Sequence, residues 1–311
     1  MKKTVRDLLG AIGRVINFLF PFCLPQRIYR HMGFKGTFVF KIEKNKLKFI
    51  NVREMIANDI FYSGIFGNFE GETLRLWYEI SKEANGLVLD IGAFSGIYSL
   101  VAASANKQSS IIAFEPHPNN FDLLCKNIQI NEFSNITSDN RAISNKTGKV
   151  VFYNEGRGNQ PPGFTLINHP YVDPESSSIS CAAISFKEYL ESNHKEQILS
   201  LVKLDIERAE LIVLRDGIER LQKDQTIIFC EILTKSSDRD SIFKIHSLFK
   251  KIDYVFININ DTKKRLIYSG TSTEDLSEEI GRNWVILPKQ IMERKNIKDV
   301  FHKFNSNLTE A

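Results

Sequence analysis

Acidic side chains recur at the ends of short apolar runs, where a folded chain can hold them at the rim of a cleft. Asp90 closes GLVLD and is followed by Ile91, Gly92, Ala93, Phe94, Ser95 and Gly96. Gly92 would allow a tight turn, and Gly96 would let a ligand approach a helix N-terminus. The spacing is not G-x-G-x-x-G. An acid ahead of the first glycine would repel a pyrophosphate and suits a ligand carrying an ammonium group or hydroxyls. Glu115 closes IIAFE, 23 residues after Gly92. One strand–helix–strand step separates the two, and an acid at that place can accept hydrogen bonds from both hydroxyls of a ribose. Asp205 closes LVKLD and is followed by Glu207 and Glu210, and Glu231 closes TIIFCE. Carboxylates gathered on one rim suggest a positive ligand, a proton to be accepted, or a metal. Glu207 and Glu210 read as opening a helix, whose dipole favours acids there. That plain role fits Glu210 better than it fits Asp205.

The elements that would position these groups are legible from residue 86 onward. GLVLDIG, SIIAFEP, NITSDNRAIS, LVKLDI and TIIFCEI read as strands, and SGIYSLVAASA, NNFDLLCKNIQIN, AELIVLRDGIERL and SIFKIHSLFKKI as helices between them. YVFININ, KRLIYSG and NWVILPK read as further strands, and KVVFYN as an extra one. Such alternation predicts a doubly wound α/β fold with a mostly parallel sheet covered on both faces. Residues 154–180 form a long irregular segment with Pro161, Pro162, Phe164, His169 and Tyr171.

Residues 1–83 read as an N-terminal extension and 84–311 as the main domain. The extension holds a β-like stretch at 36–50, an aromatic and Gly-rich segment, and a helix entry at 72–80. Val5, Leu8, Leu9, Ile12, Val15, Ile16 and Leu19 recur at helical spacing, with Lys2, Lys3, Arg6 and Arg14 among them. The run is too short and too interrupted to span a membrane, and no small-residue cleavage site follows it. Two readings stay open. The helix packs on the protein's own core or a second subunit, or residues 1–25 make a peripheral membrane contact. Packing ranks ahead, because most amphipathic helices in globular chains face a core.

The chain has 311 residues, 42% of them hydrophobic and 25% charged, with a net charge of +4. That composition excludes disordered, collagen-like and disulfide-scaffold classes. The weak charge gives no reason to expect a nucleic-acid partner. Cys23, Cys125, Cys181 and Cys230 each lie in an apolar stretch and form no C-x-x-C pair. They read as buried, reduced thiols, which places the chain in the cytoplasm, with the inner face of the membrane as the variant location.

The ordered set LVLDIGAFSGIYSL, IIAFEPHPNNFDLLCKNIQIN, NRAISNKTGKVVFY, LVKLDIERAELIVLRDGIERL and IIFCEI, over about residues 86–232, resembles the FkbM family of S-adenosylmethionine-dependent methyltransferases. The resemblance implies a class I (Rossmann-like) methyltransferase fold. That fold has a seven-stranded, mostly parallel sheet ending in an antiparallel pair, for which YVFININ and NWVILPK are the candidates. It implies S-adenosyl-L-methionine as cofactor, with Asp90, Gly92, Ala93, Phe94 and Gly96 around the methionine and ribose, Glu115 on the ribose and Asn140 near the adenine. It also implies O-methylation of a hydroxyl on a small-molecule or glycan acceptor, such as a sugar in a glycan or glycolipid. A carboxylate within hydrogen-bond reach can take the hydroxyl proton. Asp205 is the candidate base, with Glu207 or Glu231 as helper, and a divalent metal on these acids is a variant. His117, read as a helix-start residue, and His169 are the other base candidates. Two positions depart from the family pattern: Phe94 where an Asn is usual, and Arg208 where a Gly is usual. The competing readings are a nicotinamide-dependent oxidoreductase and a non-catalytic protein that kept the nucleotide-binding fold.

Overall fold

The structure is a computed structural model. It describes residues 2–22, 24–154, 164–165, 178–233, 239–270, 280–304 and 309–310. The extension opens with α1 (Lys2–Leu19) and the short α2 (Gln26–Tyr29). Strands β1 (Lys35–Ile42) and β2 (Asn45–Val52) then pair antiparallel as a hairpin. Alternation sets its faces: Phe38, Phe40, Ile42, Leu47 and Phe49 point into the core. Helices α3 (Met55–Ser63) and α4 (Gly71–Glu83) follow. The Glu54 carboxylate caps α3 by accepting the backbone N–H groups of Ile56 and Ala57.

The main sheet begins with β3 (Leu87–Ile91), α5 (Ile97–Ala105), β4 (Ser110–Phe114), α6 (Pro118–Asn131) and β5 (Ile136–Asp139). A side sheet is built from β6 (Ala142–Ser144), β7 (Gly148–Asn154), β8 (Phe164–Thr165) and β9 (Ser178–Ser185). The chain returns through α7 (Phe186–Asn193), β10 (Leu199–Leu204), α8 (Glu210–Asp224), β11 (Ile227–Glu231) and α9 (Arg239–Lys250). It finishes with β12 (Tyr254–Asn260), β13 (Arg265–Gly270), β14 (Asn283–Pro288), α10 (Lys289–Met292), α11 (Lys295–Phe304) and β15 (Thr309–Glu310).

The strand order in the main sheet is β15-β13-β12-β14-β11-β10-β3-β4-β5. β5, β4, β3, β10 and β11 run parallel, while β14 lies antiparallel between β11 and β12. This is the expected doubly wound α/β architecture of the class I methyltransferases, with YVFININ and NWVILPK as the antiparallel pair. It has nine strands instead of seven, because β13 and β15 are added beyond β12. KVVFYN, as β7, belongs to the side sheet. The thiols need a correction too. Cys230 is buried, Cys125 and Cys181 are half-buried, all three are free, and Cys23 lies outside the described residues.

Strand periodicity divides the core into two layers. Val88, Leu201, Phe229 and Val285 face a cluster that includes much of the extension and α5. Leu89, Val202, Ile228 and Trp284 face the cluster under α7, α8 and α9. The extension is therefore one of the two layers that cover the sheet. α4 is fixed at both ends of its contact surface. Trp77 packs edge-on against Phe229 at 5.1 Å, and its indole N–H donates to the Tyr98 carbonyl at 2.9 Å. Asp261, just past β12, accepts the N–H groups of Glu72 and Thr73 at 2.9 Å and so caps the helix.

Candidate active site

The chain runs outward from β3 through β4 to β5, then crosses back to place β10 on the other side of β3. Strand order reverses there, which marks the region beyond the carboxyl ends of β3, β4 and β10 as the place where a sheet of this kind binds ligands. The loop after β3 is held from beneath: the N–H groups of Gly92 and Ala93 both donate to the Phe114 carbonyl, at 3.0 and 2.9 Å. Gly92, Phe94 and Gly96 have φ of 87°, 49° and 88°. A Cβ on Gly92 would lie 1.9 Å from the Asp205 carbonyl oxygen, so only glycine lets this loop meet the one after β10. At Gly96 the expected clearance for a ligand is not what the glycine provides. Leu124 of α6 fills that side, 2.5 Å from where a Cβ would be.

Asp90 is buried, accepts the Ser99 hydroxyl at 2.6 Å, and is pushed by burial to a pKa of about 6. Glu115 is buried as well, and burial raises it to about 7. It accepts the N–H of Phe94 at 2.8 Å and that of His117 at 2.9 Å, tying the tip of β4 to the neighbouring loop. Asn140 donates to the Glu115 carbonyl at 2.8 Å, which sets the exit of β5 beside the same corner. Asp90, Glu115 and Asn140 thus converge on one edge with the glycine loop. His117 stands at the start of α6, as expected, with burial holding its pKa below the usual value. His169 lies outside the described residues.

The second cluster lies past β10 and β11. Parity places Lys203 and Asp205 on the strand face covered by the extension, and Glu231 shares that face with Phe229. The Lys203 ammonium is buried 3.1 Å from Asp205 Oδ2 and 4.8 Å from the centre of the Tyr98 ring. Asp205 keeps 30% exposure, so part of its carboxylate faces the cleft. Burial alone would raise its pKa. The Lys203 charge and a hydrogen bond from Glu231 overcome that and hold it below the ordinary carboxylate value. Glu231 is driven well above its usual value by burial and by the charge on Asp205, against the pull of Arg282 at 3.0 Å. Of this pair Asp205 therefore holds the negative charge more readily and Glu231 the proton. Burial would lower Lys203, but Asp205 and Glu70 raise it, so it stays charged.

Two further members, Glu70 and Asn283, come from outside the sequence motifs. Glu70, from the extension, accepts the Tyr98 hydroxyl at 2.6 Å and the Asn283 amide at 3.0 Å. Asn283 opens β14 directly opposite Glu231. Burial raises Glu70, with Lys203 opposing it. Among the described residues no group of three or more His, Cys, Asp or Glu is arranged to hold a metal ion. A buried ammonium sits among the acids instead.

Two expectations about the loop after β10 change. Glu210 does begin α8, accepting the N–H groups of Ile206 at 3.2 Å and Arg208 at 3.1 Å. Glu207 does not open the helix. It sits in the preceding turn with φ of 50°. Arg208 follows at φ of 79°, a left-handed conformation that favours glycine. Phe94, at φ of 49°, occupies a backbone well that Asn tolerates better than an aromatic residue. Both departures from the family pattern therefore fall where the missing residue would ease the backbone.

The family profile of the methyltransferase FkbM domain matches residues 90–256. Among curated proteins, "Methyltransferase sdnD" of Sordaria araneosa is 26% identical over 204 residues, covering 56% of this chain and 74% of that protein. "Methyltransferase 1" of Beauveria bassiana (strain ARSEF 2860) is 23% identical over 145 residues, covering 42% of this chain. A crystal structure of a methyltransferase FkbM from Methylobacillus flagellatus KT aligns with TM-score 0.42 and 13% identity over 65% of this chain. This chain spans 58% of the Beauveria protein and 43% of the Methylobacillus one. With more than half of its length matched in one continuous stretch, the chain belongs to the FkbM methyltransferase family.

Proposed function

We propose that the chain moves a methyl group from S-adenosylmethionine to the oxygen of an acceptor hydroxyl, and that the acceptor is a sugar in a glycan or glycolipid. The observation that carries this reading is the contact between Gly92 and the Asp205 carbonyl, which joins the nucleotide-side loop and the ionised acid in one cleft. The residues present fit the cofactor. Glu115 has acceptor sites beyond the two backbone donors it already holds. The buried Ser95 hydroxyl in the glycine loop has no partner among the described residues, which leaves it for a bound group. Asp90, Gly92, Ala93, Phe94 and Gly96 would flank the methionine and ribose, Glu115 would hold the ribose hydroxyls, and Asn140 would border the adenine.

When bound, the cofactor supplies a methyl group on a positively charged sulfur. That methyl would pass to the acceptor oxygen with the sulfur as leaving group, and Asp205 would receive the hydroxyl proton. With its pKa held low, Asp205 is a weak base toward a free alcohol. Its contribution is a full negative charge that orients the hydroxyl and receives the proton late, once the oxygen has become acidic. Glu231 keeps that charge in place through its hydrogen bond, and Glu207 lies in the same field of Arg282. The polar rim of Glu70, Arg282 and Asn283 offers donors and acceptors of the kind a sugar uses.

The test is calorimetry of the purified chain with S-adenosylmethionine and its demethylated product, followed by incubation of labelled cofactor with fractionated cell-envelope glycans. Heat with both nucleosides and label on a sugar oxygen support the reading. Absence of heat with either nucleoside overturns the cofactor assignment, and label on nitrogen or carbon overturns the acceptor.

A further inference from the structure

The first helix is mounted with its apolar side outward. Gly10, Gly13 and Asn17 face the body of the protein. A Cβ on Gly10 would come 2.7 Å from the Gly33 carbonyl oxygen, and Asn17 donates to the Phe61 carbonyl at 2.9 Å. That seating leaves Leu8, Val15, Phe18 and Leu19 exposed by 61%, 59%, 86% and 60%, with Phe20 and Phe22 continuing the patch. Of the amphipathic stripe, Leu9 and Ile16 are half-buried against the body of the protein, while Leu8, Ile12, Val15 and Leu19 are exposed in the single chain. Beside it runs an open groove of about 1320 Å³, lined by Val15, Phe18, Phe38, Phe40, Ile65 and Phe66. Val39, 57% exposed, and Lys41 stand on its far rim.

The charge along this stretch is predominantly basic, Asp7 being the acid of α1. From residue 8 to residue 42 there are five basic residues, Arg14, Arg27, Arg30, Lys35 and Lys41, and no acidic one, and all five are exposed. The whole chain carries only +4, so the charge is concentrated here. Among the described residues no helix is long and apolar enough to cross a membrane. A basic, aromatic-rich helix that turns its apolar face to solvent matches an element lying in the plane of a bilayer surface.

We propose that α1 and the aromatic turn after it dock the chain onto an anionic lipid bilayer. The apolar side chains enter the headgroup boundary, and the exposed Arg and Lys residues contact the lipid phosphates. The segment that lines the groove at Ile65 and Phe66 goes on, four residues later, to Glu70 of the acidic cluster. A chain docked through this face would hold that cluster near the membrane, which suits an acceptor anchored in the lipid. That last step rests on the methyl-transfer reading; the docking does not.

The experiment is co-sedimentation of the full chain with vesicles of phosphatidylglycerol and phosphatidylcholine in equal parts, and with phosphatidylcholine alone. The comparison protein carries Val15→Glu and Phe18→Glu, both at exposed positions. The wild type should pellet with the anionic vesicles, and the double variant should bind roughly tenfold more weakly or less. High salt should release the wild type. Calorimetry with S-adenosylmethionine, run on both proteins, checks that the variant is folded and reports separately on the active-site reading. Docking is overturned if the wild type stays in the supernatant with anionic vesicles, or if the double variant pellets equally well. It is also overturned if light scattering shows a wild-type dimer that the variant dissolves while neither protein binds vesicles, which would assign the patch to a second copy.

Discussion

Replacing Lys203 by Met removes the one cation buried among Glu70, Asp205 and Glu231. Its ammonium lies 3.1 Å from Asp205 Oδ2, and at an effective dielectric of about 20 such a pair attracts by on the order of 5 kcal/mol. The cost of burying Lys203 offsets part of this in the wild type. In the variant Asp205 and Glu70 lose that counter-ion while the more exposed Arg282 stays at Glu231, and breaking a buried pair in this way destabilises by about 3–5 kcal/mol. Denaturant unfolding followed by the fluorescence of Trp77 and Trp284, both fully buried, measures the change. The same substitution should alter the pH profile of turnover. In the wild type Asp205 is held below 3.8, so it stays ionised through the mildly acidic range. Without Lys203, burial and the neighbouring acids push it upward, and the acid limb of kcat should move toward neutrality. A Lys203→Met protein within about 0.5 kcal/mol of wild type, with an unmoved acid limb, would refute the claim that this ammonium sets the charge state of the site.

Asp205→Asn should lower kcat by roughly 10²- to 10⁴-fold while calorimetric cofactor affinity stays close to wild type; equal turnover would remove Asp205 from the reaction. Gly92→Ala should abolish cofactor binding and cost more than about 2 kcal/mol, because the new methyl meets the Asp205 carbonyl at a left-handed φ of 87°. The unliganded chain should lose stability as pH rises. Burial raises Glu54 and Glu115 from 4.5 to about 7 and Glu210 to about 8, so the folded state holds protons that the unfolded state has released. Their contribution is present at low pH and is lost as pH climbs through those values. Between about 6.5 and 8 the loss from these three carboxyls should be on the order of 3 kcal/mol, offset in small part as His117 and His246, whose folded-state values are lowered, give up their protons in the unfolded chain. Denaturant midpoints that rise across that window would show the carboxyls to be normal.

Much of the main sheet could be read in advance because each parallel strand is a short apolar run closed by an acid or a glycine. Asp90, Glu115, Asp205 and Glu231 stand at the strand tips for that reason. Other features were invisible because they depend on distant packing. Nothing near Glu70 in sequence marks it as a partner for Tyr98 and Asn283, since α4 must first dock on α5. Lys203 did leave a trace, as a lone ammonium inside the apolar LVKL of a central strand, where an unpaired charge would be costly. Glu207 was misplaced because a helix start and a left-handed turn draw on the same acidic residues. KRLIYSG was read as a strand and is β13, but the seven-strand template that the resemblance supplied had no place in the main sheet for it or for β15. The outward face of α1 could not be foreseen from periodicity, which shows that a helix has an apolar side but not which way the body of the protein turns it.

The hydrogen bonds from Tyr98 and Asn283 to Glu70 bear on how this domain can be cut or transplanted. A polypeptide trimmed to begin near residue 84 would retain every strand of the central sheet and the whole glycine loop. It would also strip away the layer over Phe229, leave the Tyr98 hydroxyl without its Glu70 acceptor beside the ammonium of Lys203, and leave the Asn283 amide to Asp261. The stretch that supplies Glu70 and α4 is thus an integral wall of the candidate site, and a chimera or minimal fragment has to carry it along.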